Sequence, residues 1–365
     1  MTKIASISST GSMTSVALNN GECMSTSKVN QDSQMRLNKS TSTKSSGKMN
    51  LVGLKKFSLL CIMILFISSV SAVYKEQDAK EYTYISALSI CEAEKILRRD
   101  CGGATELVEK SNIDLLSVVS NKLKYNPINM IALKKDSDKK LIFAFSGTLG
   151  VVELVTEILQ AYPQQYSIHP EVEGAKVVTY FYKHYVNDFR AQLQSLLLNY
   201  TAKFPSYEII FTGHSLGGAL AVHATADTLL SGWNQDKTVT LYTLGQPRVA
   251  NIEFLQSFAN MTSGWYRLVH NRDIVAHIPP CIPNLSSSCY KSGSIFPVYL
   301  YHSAEEIFYN EDMSDYKECS LENGEDPDCS NSLFTISPFD HMKYFGIDVG
   351  HIHERNLTSV EQILK

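Results

Sequence analysis

Between Glu208 and Ala224 the chain reads EIIFTGHSLGGALAVHA. A β-branched and aromatic run (Ile209, Ile210, Phe211) gives way within a few residues to an alanine-rich one that starts at Ala219. The exchange is made by Gly213-His214-Ser215-Leu216-Gly217. The first run suits a buried strand and the second a helix. Only a sharp turn joins them, and glycines two residues before and after Ser215 remove Cβ atoms that would clash there. A strand, tight turn and helix in this order commit the chain to layers of sheet and helix. They also lift the Ser215 hydroxyl above the sheet at a helix N-terminus.

Other segments extend the pattern. Lys140 to Phe145 (KLIFAF), Tyr207 to Phe211, Thr238 to Leu244 (TVTLYTL) and Trp265 to Val269 read as strands. Helical spacing runs from Tyr84 to Leu97, Leu154 to Leu159, Tyr180 to Leu198 and Ala219 to Leu230. In the third of these, Phe181, Tyr185, Phe189, Leu193 and Leu196 recur at three- and four-residue intervals. Continuous apolar strands alternating with helices predict an α/β fold, a mostly parallel central sheet covered on both faces. No period of about 20–50 residues repeats, which excludes solenoids and propellers. With 365 residues, 44% of them hydrophobic, the chain can bury one large core, expected from residue 73 to residue 365. A net charge of −4 leaves no basic surface for a polyanion, so nucleic acid is excluded as a partner.

Residues 1–48 are rich in Ser, Thr, Asn, Lys and Met without hydrophobic period, and read as a disordered or non-translated extension. Residues 49–72 read as a signal peptide. Lys55 and Lys56 form its basic region, Phe57 to Ile67 its apolar region, and Val70-Ser71-Ala72 its cleavage site. The apolar run falls short of the ~20 residues that span a bilayer, which favours secretion over a signal anchor. A start at Met49 would give that signal an ordinary length.

Processing would remove Cys23 and Cys61 and leave six cysteines, an even number that suits disulfides in an oxidising compartment. Cys281 with Cys289 and Cys319 with Cys329 lie in Pro-, Asn- and Gly-containing loops that can fold back. Cys91 and Cys101 present a difficulty. One continuous helix would hold them about 15 Å apart, whereas a disulfide spans at most about 7 Å between Cα atoms. Either the helix ends near Arg99, ahead of Gly102-Gly103, or Cys91 pairs elsewhere. Asn199, Asn260, Asn284 and Asn356 each open a glycosylation sequon.

Serine chemistry needs a base and a group to orient it. Taken on the residues alone, Asp273 in Asn271-Arg272-Asp273 reads as a catalytic acid or as a turn cap. The base stays open among His214, His270, His277, His302, His341, His351 and His353. His351-x-His353 lacks a third ligand at a recognisable spacing and reads as surface, so no metal is expected.

Several ordered motifs then point the same way. GHSLGGALA (213–221), FSGT (145–148), YTLGQPRVAN (242–251), YRLVHNRDIVAHIPP (266–280) and DHMKYFGI (340–347) together resemble the class 3 lipases, fungal triacylglycerol lipases of the α/β-hydrolase fold. The likeness spreads over most of residues 140–350. It implies Ser215 as nucleophile, Asp273 as orienting acid and His341 as base, in the chain order of α/β-hydrolases. It also implies an oxyanion hole from the N–H groups of Leu216 and Thr148, a nucleophile elbow framed by Gly213 and Gly217, and no cofactor. The substrate implied is a lipid ester, met at a lipid–water interface. Phospholipase A1 or small-ester and feruloyl-type activity is an alternative, and a non-catalytic lipid-binding protein is another. The chain departs from the fungal pattern in an insert between Cys281 and Phe296 and in its N-terminal extension. Val151, Val152, Leu154, Val155, Ile158 and Leu159, where the family carries a lid or its neighbour, form an apolar stripe that reads as core or as a lipid-docking face. Oligomeric state is not legible.

Overall fold

A computed structural model of the protein describes residues 3–6, 73–121, 127–148, 150–281, 289, 300–303, 305–320, 324–333 and 336–354. The signal segment at 49–72 and the sequons at Asn284 and Asn356 lie outside the described residues.

Nine strands make one sheet in which spatial order follows chain order: β1 (Lys3–Ser6), β2 (Ile113–Ser120), β3 (Asn129–Lys135), β4 (Lys140–Phe145), β5 (Glu208–His214), β6 (Val239–Leu244), β7 (Gly264–His270), β8 (Glu306–Tyr309) and β9 (Tyr316–Glu318). The strands β4 to β8 run parallel, and antiparallel strands flank them. β1 draws four residues of the N-terminal extension into the sheet, against Ser117–Ser120 of β2. Cleavage after Ala72 would remove it and leave β2 at the edge.

Every residue of β4 is buried because successive side chains enter two different cores. Leu141, Phe143 and Phe145 join Phe211, Leu241 and Trp265 on one face. Ile142 and Ala144 join Ile210, Tyr242 and Leu268 on the other. That second face is covered by α1 (Glu76–Ile90), α2 (Ala93–Arg98) and α3 (Gly102–Lys110), which supply Ile85, Ile96 and Leu107 to its core. The first carries α4 (Val151–Gln160), α5 (Thr179–His184), α6 (Arg190–Lys203), α7 (Leu216–Leu230) and α8 (Ile252–Ala259), through Leu154, Phe181, Leu193, Leu220 and Phe254.

Two helices differ from the reading of the sequence. The stretch from Tyr84 to Leu97 is not continuous: α1 stops at Cys91, whose backbone is extended, and α2 ends before Arg99 in the left-handed region. The break brings Cys91 and Cys101 to 6.2 Å between Cα atoms, and they form a disulfide. The stretch from Tyr180 to Leu198 contains a π-helical segment, Tyr185–Phe189, between α5 and α6. That extra residue per turn lets both Tyr185 and Arg190 donate to the buried carboxylate of Asp227. Cys281–Cys289 and Cys319–Cys329 are bonded as paired in the sequence. Asn199 and Asn260 are exposed.

Candidate active site

The parallel strands end on one edge of the sheet, and their C-terminal exits carry the polar groups. Ser146-Gly147-Thr148 follows β4, Ser215 follows β5, and Asp273 follows β7. Ser215 has φ 61° and ψ −125°, a conformation a side chain rarely adopts. Its neighbours hold it there. The Ser215 N–H donates to the Leu244 carbonyl at 2.8 Å, and α7 starts at Leu216. A Cβ on Gly217 would stand 2.1 Å from the Phe145 carbonyl oxygen, and one on Gly213 2.3 Å from the Gly217 carbonyl carbon. Glycine at both places is what lets the helix start lie against the ends of β4 and β5.

Asp273 and His341 come together through a clamp between their segments. Asp273 bridges to Ser337, and Ser337 caps α9 (Pro338–His341) by accepting the Asp340 N–H at 3.1 Å. Asp340 accepts from Asn271 Nδ2 and the Arg272 N–H and so ties these loops together. His341 then lies with Nδ1 at 2.9 and 3.0 Å from the two Asp273 oxygens and Nε2 at 2.8 Å from Ser215 Oγ. An ionised carboxylate only accepts, which puts the proton on Nδ1 and leaves the Nε2 lone pair for the serine hydroxyl.

Asp273 has no exposed surface. Burial pushes its pKa up, but the charge and hydrogen bond of His341 and the Tyr344 hydroxyl outweigh this and hold it at about 2. Tyr344 donates to Asp273 Oδ2 at 2.8 Å, and the Val275 N–H donates to Oδ1 at 2.8 Å. Neither residue stands out in the sequence as part of this site. Gly245, in the left-handed region at φ 56°, is equally silent there; a Cβ on it would lie 2.5 Å from Asp273 Oδ2 and 2.8 Å from His341 Nδ1.

Leu216 N–H is at the first position of α7, where backbone N–H groups have no partner within the helix. Thr148 is half-buried, and its Oγ1 accepts the Gly150 N–H at 3.4 Å. The turn that carries it is pinned to β3, since Ser146 and Asn129 exchange bonds at 2.8 and 2.9 Å. Asn129 in turn donates to the carbonyls of Ser89 and Cys91 at the end of α1.

Among the described residues no other histidine side chain bonds to Ser215. His270 faces the carbonyls of Asp340 and Glu311, His302 the carbonyl of Ala276, and exposed His351 the carboxylate of Asp348. His277 is half-buried, and its carbonyl accepts from Arg248. The side chain of His353 lies outside the described residues. His214 stands apart because it touches His341 directly.

A mainly parallel sheet with helices on both faces, a serine on a strained strand-to-helix turn and an imidazole between it and a buried carboxylate is the architecture of the α/β-hydrolases. Comparison with known proteins narrows this. Residues 142–282 match the family model of the class 3 lipases. The chain is 30% identical to the Rhizomucor miehei lipase over 283 residues, 75% of this chain and 70% of that one. It is 29% identical to a Caenorhabditis elegans lipase over 80% of this chain and 88% of the other. Among solved structures, a triacylglycerol lipase with a serine protease triad as its catalytic centre superposes with a TM-score of 0.61 at 27% identity, over 77% of this chain and 98% of that one. The chain belongs to the class 3 lipase family, and it is a carboxylic ester hydrolase.

Proposed function

We propose that Ser215 is the nucleophile, His341 the general base and Asp273 the acid that orients it, and that the esters cleaved are those of triacylglycerols. The observation that carries this reading is the unbroken run of hydrogen bonds from Ser215 Oγ through His341 to Asp273. A serine hydroxyl is scarcely ionised at neutral pH, so attack on an ester carbonyl needs a base in contact. His341 Nε2 takes the hydroxyl proton as Oγ bonds to the carbonyl carbon. The imidazolium that forms is stabilised by the ionised Asp273. Negative charge on the former carbonyl oxygen is met by the N–H groups of Leu216 and Thr148, at the positive end of α7. The tetrahedral adduct collapses by breaking the C–O bond to the alcohol, which leaves with the proton from Nε2. A water then gives its proton to His341 and attacks the acyl-enzyme, releasing the carboxylic acid and restoring Ser215.

Ser215, Asp273 and His341 are all without exposed surface. A lipid therefore reaches Oγ only after something above it moves, and α4 is our candidate for that lid. It buries Leu154 and Ile158 while Leu159 and the following Tyr162 stand 56% and 63% exposed. The side chains of Val151 and Val152 lie outside the described residues. Ile336 and Phe339, beside His341, are 59% and 85% exposed. Apolar side chains presented to water around a lipid-cleaving centre support docking at a lipid surface. Secretion after cleavage at Ala72 is supported by the three disulfides. Among the described residues no helix is long and apolar enough to cross a membrane.

The test is hydrolysis of emulsified tri-, di- and phosphoglycerides by the wild type and by Ser215→Ala, Asp273→Asn and His341→Ala. Losses of roughly 10⁴-fold or more are expected for each variant, with triacylglycerol the best substrate. Activity of Ser215→Ala within tenfold of wild type would remove the nucleophile. A preference for phosphoglycerides with the variants inactive would replace the substrate class and leave the chemistry.

A further inference from the structure

His214, at the end of β5, has almost no exposed surface and occupies the position before Ser215. Its Nε2 lies 2.7 Å from the main-chain carbonyl oxygen of His341. Its ring lies 4.4 Å from the His341 ring, centroid to centroid, at 29° between planes. A carbonyl only accepts, so Nε2 carries the proton and Nδ1 is bare. Among the described residues Nδ1 has no hydrogen-bond partner, and it faces the turn after β4: a Cβ on Gly147 would be 3.5 Å from it and 2.8 Å from the His214 carbonyl oxygen. The edge of Tyr344 closes another side, with ring centroids 5.7 Å apart.

We propose that His214 is a positioning residue for His341: its Nε2–H fixes the His341 main chain and its ring fixes the imidazole plane that reaches Ser215. The inference rests on the assignment of His341 as the base. Asp273 holds that imidazole at Nδ1 and Ser215 meets it at Nε2, and two bonds in the plane of the ring leave it free to rock about the line through them. A flat ring against one face removes that freedom, and the bond to the carbonyl removes movement of the backbone beneath. The contact works only while His214 is neutral, since His341 becomes cationic in the reaction at 4.4 Å. The groups around His214 keep it so. Burial, then the neighbouring His341, push its pKa down to about 3, against a weaker upward pull from the His341 carbonyl and Asp273.

Two variants separate the two contacts. His214→Phe keeps a flat ring and loses the donor, whereas His214→Gln keeps an N–H donor and loses the ring; His214→Ala loses both. Turnover of a soluble p-nitrophenyl ester is measured per active site titrated with a fluorophosphonate, so that unfolded protein drops out. The expected result is a fall in kcat of about tenfold in Phe and Gln and about a hundredfold in Ala, with KM within twofold. The rate of fluorophosphonate labelling should fall in proportion, because it needs the same base. Should Ala fail to fold, Phe and Gln decide alone. Variants with wild-type kcat per titrated site, or with the loss confined to KM, would overturn the proposal. His341→Ala is run beside them: if it stays active, the assignment of the base fails instead, and the two failures are told apart.

Discussion

Asp273 shows how a residue's surroundings decide its chemistry. A carboxylate with no exposed surface persists as an anion because His341 lies beside it and three donors converge on its two oxygens: the His341 Nδ1–H, shared between both, the Tyr344 hydroxyl and the Val275 N–H. Removing the phenol hydroxyl in Tyr344→Phe takes away one donor to a buried charge, worth about 1.5–3 kcal/mol. We expect kcat/KM to fall about tenfold or more, and a change under twofold would detach Tyr344 from the site. His223 makes a separate residue-scale prediction. Both its ring nitrogens are buried without a hydrogen-bond partner among the described residues, and burial pushes its pKa down to about 3, below the usual 6.5. The unfolded chain therefore takes up this proton first as pH falls. The contribution is fully present above pH 6.5 and is lost between 6.5 and 3, at about 1.4 kcal/mol per pH unit. Urea unfolding from pH 7 to 5 should show a shallower pH slope in His223→Phe than in wild type; equal slopes would contradict it. Ser215 and Gly217 were readable from their spacing, and Asp273 and His341 from motif likeness. Tyr344, Gly245 and His214 were not, because what they do depends on contacts between segments far apart in the chain.

Elements were legible where burial is two-sided. The apolar runs of β4 to β7 announce strands that enter two cores, as the sheet has them. β2, β3 and β8 were missed: IDLLSVVS and EIFY mix buried and part-exposed positions and carry no clean period, and in NMIALKK a buried run of five is short and closes on two lysines. The break at Cys91 was missed for a related reason: helical spacing continues across it, and only the disulfide geometry raised the question. Helix α7 meets β4 through a contact that tolerates no side chain, which yields the element-scale prediction. In Gly217→Ala the new methyl would meet the Phe145 carbonyl oxygen at 2.1 Å, backbone that cannot swing aside. The helix start must shift, carrying Ser215 and the Leu216 N–H with it. A misplacement of about 1 Å is expected to cost on the order of 10²-fold in kcat. Wild-type turnover in this variant would show that the elbow is not held as described.

At the scale of the whole molecule, a centre without exposed surface, with Ile336 and Phe339 exposed in the segment that carries His341, predicts a dependence on the physical state of the substrate. Specific activity should rise when the same triglyceride passes from monomeric to emulsified. Phe339→Ser should lower the emulsified rate severalfold and spare the monomeric one. Equal effects on both would remove the interface from the account. Composition allowed one large core, where the sheet divides the buried apolar side chains into two, and the pairing of β1 with β2 could not be read from residues 3–6, which carry no strand pattern of their own. The central claim, that the Ser215 hydroxyl is activated by His341 and Asp273, is tested most directly by covalent capture. The purified protein is treated with a fluorophosphonate, and the modified residue is located by peptide mass spectrometry. The account predicts one adduct, on Ser215, absent in Ser215→Ala and formed at least a hundredfold more slowly in His341→Ala. An adduct on a different residue, or one that survives Ser215→Ala, would contradict it.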